Sequence, residues 1–271
     1  MMEQTVETKA AEKQPAKKTV RLTPVSTYHY FRLVMRSLTF LVLLYCYISY
    51  RLQGGEEIGA LIESHPLILT VIWAVFLIEM VLRFFPSKLE SPGCQKQFKK
   101  NYIKTGETNI VIQDNNAVML VALIWIAFNA VFGMLHMCGI FDDGIMVLIC
   151  SFYSVSDMIC ILFFCPFQSW LLKNKCCCTC RIYNWDYAMM FTPLFFVRKV
   201  YTWSLLLVSV ALLARWELTF FKAPERFSEK TNGYLSCQNC TEKLCTHKKQ
   251  LNSLWGKIAL YMQERVKKLK L

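Results

Sequence analysis

The chain has 271 residues, of which 55% are hydrophobic and 14% aromatic, yet it carries 31 lysines and arginines against 19 acidic residues. Long stretches with almost no charge alternate along it with short charged ones. This segregation excludes an ordinary soluble globular domain and predicts an all-α integral membrane protein, built as a polytopic helical bundle.

Four apolar segments follow a polar, basic leader over residues 1–32. They cover residues 33–50, 66–85, 117–141 and 144–172. A helix needs roughly 20 mostly apolar residues to cross a hydrocarbon core of about 30 Å, and charged or turn-forming residues bound each segment. We therefore predict four transmembrane helices in this part of the chain.

A fifth apolar region, residues 187–221, contains Pro193 and the pair Arg198-Lys199. As one straight helix it would be roughly 52 Å long, which overshoots a bilayer. We predict a break near Pro193 or Arg198, because proline interrupts helical hydrogen bonding. The region then forms either an interfacial piece followed by a fifth crossing over about residues 200–221, or a re-entrant pair of half-helices. The predicted membrane domain spans residues 33–221.

Lysines and arginines in the connecting segments predict the orientation. They are concentrated in the leader and in the second connection, residues 86–116, whereas residues 51–65 have one arginine against three glutamates. Under the positive-inside rule the amino terminus and the second connection are cytoplasmic. The sequence KNKCCCTCR at residues 173–181 is then cytoplasmic too. We predict the plasma membrane as the location of the protein.

Two Cys-x-x-Cys motifs are candidate metal ligands. Cys177 and Cys180 form one, and Cys237 and Cys240 form the second, in a basic tail over residues 222–271. In a reducing cytoplasm clustered thiolates more often bind metals than form structural disulfides, and two thiolates at this spacing can occupy adjacent corners of a tetrahedron. We predict that the four cysteines bind one zinc ion or, alternatively, an iron–sulfur cluster. Further candidate ligands are Cys176, Cys178, Cys245 and His247.

A shared metal site requires the tail to lie on the same side of the membrane as residues 173–181. If the fifth region crosses once, the tail is external and the two motifs cannot meet. The tail nevertheless has 11 lysines and arginines against four glutamates, which favours the cytoplasm. A re-entrant fifth region satisfies both the charge rule and the metal site.

Other interpretations of the cysteines remain open. The three thiols at residues 176–178 adjoin a membrane segment and are candidate palmitoylation sites. In an external tail, the cysteines would instead supply a disulfide with one thiol left over. The pair Cys177 and Cys180 would also suit a membrane thiol–disulfide oxidoreductase that exchanges with a substrate or a quinone.

Polar side chains within the apolar segments are the second group of candidate functional residues, because a charge in the bilayer is costly and usually has a partner or a cavity. Glu79 and Arg83 are four positions apart with the acid first, which predicts a pair on one helix. Asp157 is the candidate ion or proton site. Its alternative role is a structural hydrogen bond to Asn129 or His136.

The end of the tail predicts a basic amphipathic helix. Its apolar face consists of Leu251, Leu254, Trp255, Ile258, Met262, Val266 and Leu269. Its basic face consists of Lys257, Arg265, Lys267, Lys268 and Lys270. Such a helix binds anionic lipid headgroups in the plane of the interface; packing on the protein's own cytoplasmic loops is the alternative. We expect no nucleic-acid binding, because membrane topology accounts for the charge.

The sequence identifies no enzyme, since it contains no G-x-S-x-G, H-E-x-x-H, phosphate-binding glycine loop or dinucleotide fingerprint. The predicted function is structural or regulatory, in a multi-pass membrane protein with a Cys-ligated metal on its cytoplasmic side. The alternatives are a thiol–disulfide oxidoreductase and an ion or proton transporter centred on Asp157.

Overall fold

The computed structural model describes residues 24–52, 66–86, 95–174, 176–236 and Asn239. Within these ranges the regular elements are helices, apart from an isolated bridge between Lys104 and Asn232. Helices α1 to α6 cover Pro24–Leu52, Pro66–Leu82, Asn115–Met137, Asp143–Leu162, Asp186–Phe191 and Val200–Lys222. Short 3₁₀ or π turns occupy Lys99–Asn101, Phe167–Leu171, Cys177–Thr179, Arg181–Trp185, Thr192–Phe195 and Pro224–Arg226.

Four of these helices are long and apolar enough to cross a membrane, namely α1, α3, α4 and α6. The second predicted segment is α2, an apolar helix of 17 residues that is shorter than these four. An all-helical architecture with several candidate spans is thus confirmed for the part of the chain that the structure describes.

Helix α1 begins at Pro24, inside the stretch predicted as leader, and it carries its polar side chains inward. Its buried residues are Ser26, His29, Arg32 and Arg36, and their spacing of three or four positions places them on one helical face. The apolar side chains of α1 point outward, as the exposed Leu41 illustrates. This inverted pattern is the one expected of a helix with lipid on one side and polar partners on the other.

Helix α4 is shorter than the predicted segment 144–172, because it ends at Leu162. Pro166 follows, and proline can neither donate a backbone hydrogen bond nor continue a helix without strain. The chain then forms the π turn Phe167–Leu171 and turns at Lys173, whose φ of 47° lies in the left-handed region. Residues 173–186 fold back toward the bundle.

The fifth region is broken, as its sequence predicts. Helix α5 ends at Phe191, a 3₁₀ turn with Pro193 follows, and α6 begins only at Val200. Phe196, in the break, packs directly onto Gly133 of α3, where an added Cβ would lie only 2.1 Å from its ring. A glycine at this position therefore permits the close approach of the break to α3.

The two arms of the fifth region run in opposite directions. The break at residues 195–200 lies beside His136 and Asp143, at the junction of α3 and α4. By contrast, Trp185 donates to Glu217 near the end of α6, over 2.6 Å. The region thus starts and finishes at one end of the bundle, which is the arrangement expected of the re-entrant alternative. We call this end, with residues 95–114, 173–186 and 223–236, the cysteine end, and the other the far end.

The start of the tail packs on the second connection at the cysteine end. Asn232 is completely buried, and its amide donates to the carbonyl oxygens of Lys96 (3.0 Å) and Arg226 (2.8 Å). Its side-chain oxygen accepts from the backbone of Ile103 (3.4 Å) and Tyr234 (3.1 Å). One side chain therefore joins residues 95–104 to residues 226–234.

Candidate functional site

Three arginines and three carboxylates meet inside the bundle, toward the cysteine end. We call them the ionic cluster; they are Arg32, Arg36, Glu79, Arg83, Asp157 and Asp186. They come from α1, α2, the turn after α2, α4 and the start of α5. Their formal charges cancel, which lowers the cost of burying them together.

Glu79 lies at the centre of the ionic cluster. Its Oε2 accepts hydrogen bonds from Arg32 at 2.5 Å, from Arg36 at 2.9 Å and from the hydroxyl of Tyr187 at 2.8 Å. Arg32 also donates to the Tyr187 oxygen at 2.8 Å. A single carboxylate therefore joins α1, α2 and α5.

Arg36 extends the cluster to α4. Its Nη1 donates to Asp157 Oδ2 and to the carbonyl oxygen of Ser154, both at 3.0 Å, and its Nη2 donates to Glu79 Oε2. The Arg36 side chain is only 6% exposed and that of Asp157 is 14% exposed. Arg36 is therefore a planar donor shared by two carboxylates on different helices.

Arg83 and Asp186 form the third part of the cluster. Their side chains approach to 2.6 Å and are 2% and 7% exposed. The Arg83 guanidinium also lies 4.4 Å from the centre of the Tyr187 ring, a cation–π contact. The turn after α2 is thereby tied to the start of α5.

The ion pairs differ from those expected of the sequence. Glu79 pairs with α1 and Arg83 pairs with Asp186, so the prediction that Glu79 and Arg83 neutralise each other is wrong. Asp157 pairs with Arg36 and not with Asn129 or His136. The reason is that α1 packs on α4 and that residues 176–186 return to the bundle. Both features place opposite charges from distant parts of the chain within hydrogen-bonding distance, closer than charges four positions apart on one helix.

Asn129 and His136 have local partners. Asn129 donates to the Trp125 carbonyl at 2.9 Å and accepts from Tyr153 at 3.4 Å. His136 contacts the Phe141 carbonyl at 2.9 Å and lies 3.5 Å from Asp143, at the far end. These two residues support the α3–α4 pair and do not belong to the ionic cluster.

The sequence patterns do not identify Arg32 and Asp186 of the ionic cluster, or their neighbour Tyr187, as functional residues. Arg32 lies in the predicted leader, and Asp186 and Tyr187 lie at the boundary of the fifth region. The sequence feature that indicates Arg32 is the spacing of Ser26, Arg32 and their polar neighbours on one face of α1. Polar residues that recur at helical intervals in an apolar helix indicate a polar partner inside the protein. His29 lies on this face too. It is completely buried, and its ring nitrogens form no hydrogen bond to the described residues.

The first cysteine cluster lies at the cysteine end, directly before α5. Cys178 and Cys180 are buried and Cys176 is half-buried. Cys180 packs with Val118 and Ile182 in an apolar cluster. Within the described residues no group of three or more histidine, cysteine or acidic side chains could hold a metal.

The second cysteine cluster lies outside the described residues. The same holds for the side chain of Cys177, for the candidate ligands Cys237, Cys240, Cys245 and His247, and for the predicted amphipathic helix. The four-cysteine site and the lipid-binding helix therefore stay predictions.

Residues next to both cysteine clusters are anchored to neighbouring positions of the second connection. Gln97 donates to the Cys178 carbonyl at 3.1 Å, and the adjacent Lys96 carbonyl accepts from Asn232 at 3.0 Å. Gln113 accepts from the Arg181 backbone at 2.9 Å, and the Val111 backbone donates to Ser228 at 3.0 Å. Thr179 and Ser236 both line the cleft between the two segments.

Comparisons with known proteins add no functional assignment. No protein-family model matches the chain, and searches against curated proteins and against solved structures found no significant match.

Proposed function

We propose that this chain is a multi-pass membrane protein in which a Cys-ligated metal, zinc or alternatively an iron–sulfur cluster, joins the segment before α5 to the tail. Its role in this proposal is structural or regulatory. The metal holds together two segments that are far apart in sequence, and one of them leads directly into the ionic cluster through Asp186.

One observation supports the proposal above the alternatives: both cysteine-bearing segments are fastened to the same short stretches of the second connection. Gln97 holds the Cys178 backbone, and Lys96 beside it holds Asn232. Ser236, the residue before Cys237, shares a cleft with Thr179. A metal needs ligands that approach within a few ångströms, and anchoring both segments in advance lowers the entropy lost when it binds.

The proposed ligands are Cys177, Cys180, Cys237 and Cys240, which would complete a closed tetrahedral site without an open position for substrate. Cys180 lies in apolar surroundings, so Cys176 and Cys178 are the alternatives to it as the second ligand of the first cluster. Separate substitutions distinguish these sets.

The metal content of the purified full-length protein is the direct test. We expect about one zinc per chain, or the absorption of an iron–sulfur cluster, because four thiolates satisfy either centre. Cys177→Ser and Cys237→Ser should each remove most of the metal, because a shared site loses its metal when a ligand from either cysteine cluster is removed. Cys138→Ser, an exposed cysteine at the far end, is the matched control and should retain it.

Comparing Cys176→Ser, Cys178→Ser and Cys180→Ser identifies the second ligand of the first cluster, because only the true ligand should reduce the metal content. Metal content that is unchanged in Cys237→Ser contradicts the shared site. The oxidoreductase alternative makes the opposite prediction, with activity lost through Cys177 or Cys180 and retained in Cys237→Ser. Cys180 is only 3% exposed, which offers little access to a protein disulfide.

We also propose that the cysteine end faces the cytoplasm, as the positive-inside rule predicts. The described part of this end is rich in cations, whereas the described part of the far end has Arg51, Arg198 and Lys199 against Asp142 and Asp143. In intact cells, tags within residues 91–105 and after Leu271 should be protected from an impermeant label. A tag within residues 54–64 should react.

A carboxy-terminal tag that reacts from outside would contradict the re-entrant arrangement and, with it, the shared metal site. Contacts of the tail helix with anionic lipids, and the transporter alternative at Asp157, stay predictions. The balanced ion pairing of Asp157 favours a structural role for this carboxylate over transport.

A further inference from the structure

A cavity of about 270 Å³, open on one side, lies between α3, α4, α5 and the turns that flank the first cysteine cluster. Most of its wall is apolar or aromatic, and the wall includes Trp125, Phe152, Tyr153, Phe167, Met189 and Met190. A cavity of about 150 Å³ with apolar walls can hold benzene, so this one has room for roughly a dozen heavy atoms.

The polar side chains in the wall include two carboxylates of the ionic cluster, Asp157 and Asp186. Each already has an arginine partner, Arg36 for Asp157 and Arg83 for Asp186. A cationic ligand would leave one uncompensated charge in this buried place, and an anionic ligand would be repelled by both carboxylates. The cavity therefore suits a neutral molecule that can donate one hydrogen bond.

The rim of the cavity reaches the outer surface of α4. Phe152 is 53% exposed and belongs to the wall, whereas Tyr153 beside it is buried. Because α3 and α4 are candidate membrane spans, this rim faces the side on which lipid would lie. An apolar molecule dissolved in the bilayer could thus enter laterally.

We infer that this cavity is a binding site for a neutral amphiphile, with an apolar body of about a dozen heavy atoms and a hydroxyl or amide group that donates to Asp157. The apolar body fills the space between Trp125 and Met190. The acceptor is pre-organised, because Arg36 holds Asp157 in place.

Two cysteines in the wall, Cys160 and Cys165, allow a direct test in the full-length protein reconstituted in lipid nanodiscs. N-ethylmaleimide is small and uncharged, and mass spectrometry measures its addition at each cysteine. 1-Decanol is the probe. We expect it to slow the labelling of both thiols about tenfold at a concentration ten times its dissociation constant.

Related ten-carbon molecules test the chemistry of the head group. n-Decane, decylamine and decanoate should protect much less, because they lack a neutral donor or carry a charge. Equal protection by n-decane would overturn the hydrogen bond to Asp157. Strong protection by decylamine would overturn the preference for a neutral ligand, and an absence of labelling without decanol would overturn lateral access.

Filling the cavity should abolish protection. Ser156→Phe places an aromatic ring in the cavity from α4, and Met189→Trp places one there from α5. Two variants are used so that one can still be measured if the other fails to fold. The matched control is Ile159→Phe, which adds the same ring on the exposed face of α4 outside the wall. Protection by 1-decanol that persists in both folded cavity variants would contradict the site, as would its loss in the control.

Discussion

Replacing Arg36 with methionine is expected to lower the free energy of unfolding by about 3–5 kcal/mol, the usual cost of removing one partner from a buried ion pair. The substitution removes hydrogen bonds to Glu79, Asp157 and the Ser154 carbonyl at once. Methionine fills much of the same volume, so the loss reflects the charge and not a cavity. Total stabilities are about 5–15 kcal/mol, so this change alone removes a substantial share of the stability.

Unfolding of the purified protein by SDS in mixed micelles measures the effect. Arg198→Met, an exposed arginine at the far end, is the matched control and should change stability by less than about 0.5 kcal/mol. The double variant Arg36→Met/Asp157→Asn should recover part of the loss, because Glu79 keeps Arg32 and Tyr187 while Asp157 no longer carries a charge. Equal stability of the Arg36 and Arg198 variants would contradict the central role of the ionic cluster.

Replacing Asn232 with alanine should detach the start of the tail from the second connection. The side chain makes four hydrogen bonds, to Lys96, Ile103, Arg226 and Tyr234, and it is completely buried. Partners left without a hydrogen bond cost about 1–3 kcal/mol each. We expect the free energy of local opening to fall by about 3 kcal/mol, after partial relaxation of these groups.

Hydrogen exchange of residues 226–236 tests this prediction, because a loss of about 3 kcal/mol corresponds to exchange roughly a hundredfold faster. Asn239→Ala is the matched control. Asn239 is exposed and donates one hydrogen bond, to Gly233 at 2.9 Å, so its loss should have little effect. Unchanged exchange in Asn232→Ala would show that other contacts hold the tail.

The segment between the first cysteine cluster and α5 connects the proposed metal site with the ionic cluster. Asn184 donates to Gln97 at 2.8 Å, and Arg181 pairs with Glu217 of α6. Two residues after Asn184, Asp186 pairs with Arg83. A change in the coordination of the cysteines would therefore reach the buried charges through a few rigid contacts, which is the physical basis for the regulatory role that we propose.

Local rules were sufficient for the helices themselves. Runs of apolar residues predicted α1, α3, α4 and α6, since few sequences without charge over such lengths are stable outside a membrane or a large core. Pro193 and Arg198 predicted the break in the fifth region, because proline disrupts the helical hydrogen bonds at its own position. The end of α4 before Pro166 follows the same rule, although the hydropathy of residues 163–172 concealed it.

Partners across the bundle depended on the tertiary structure alone. The four-residue spacing of Glu79 and Arg83 predicted a local pair, but the fold offered each a closer partner from a distant segment. Arg36 and Asp157 are separated by 121 positions, and no local pattern relates them. What the sequence by itself determined is that these charges lie in apolar surroundings and therefore need partners. Only the packing of α1 on α4, and the return of the chain to the bundle at Asp186, decided which charges meet, because the choice depends on distances between segments that do not interact until the chain is folded.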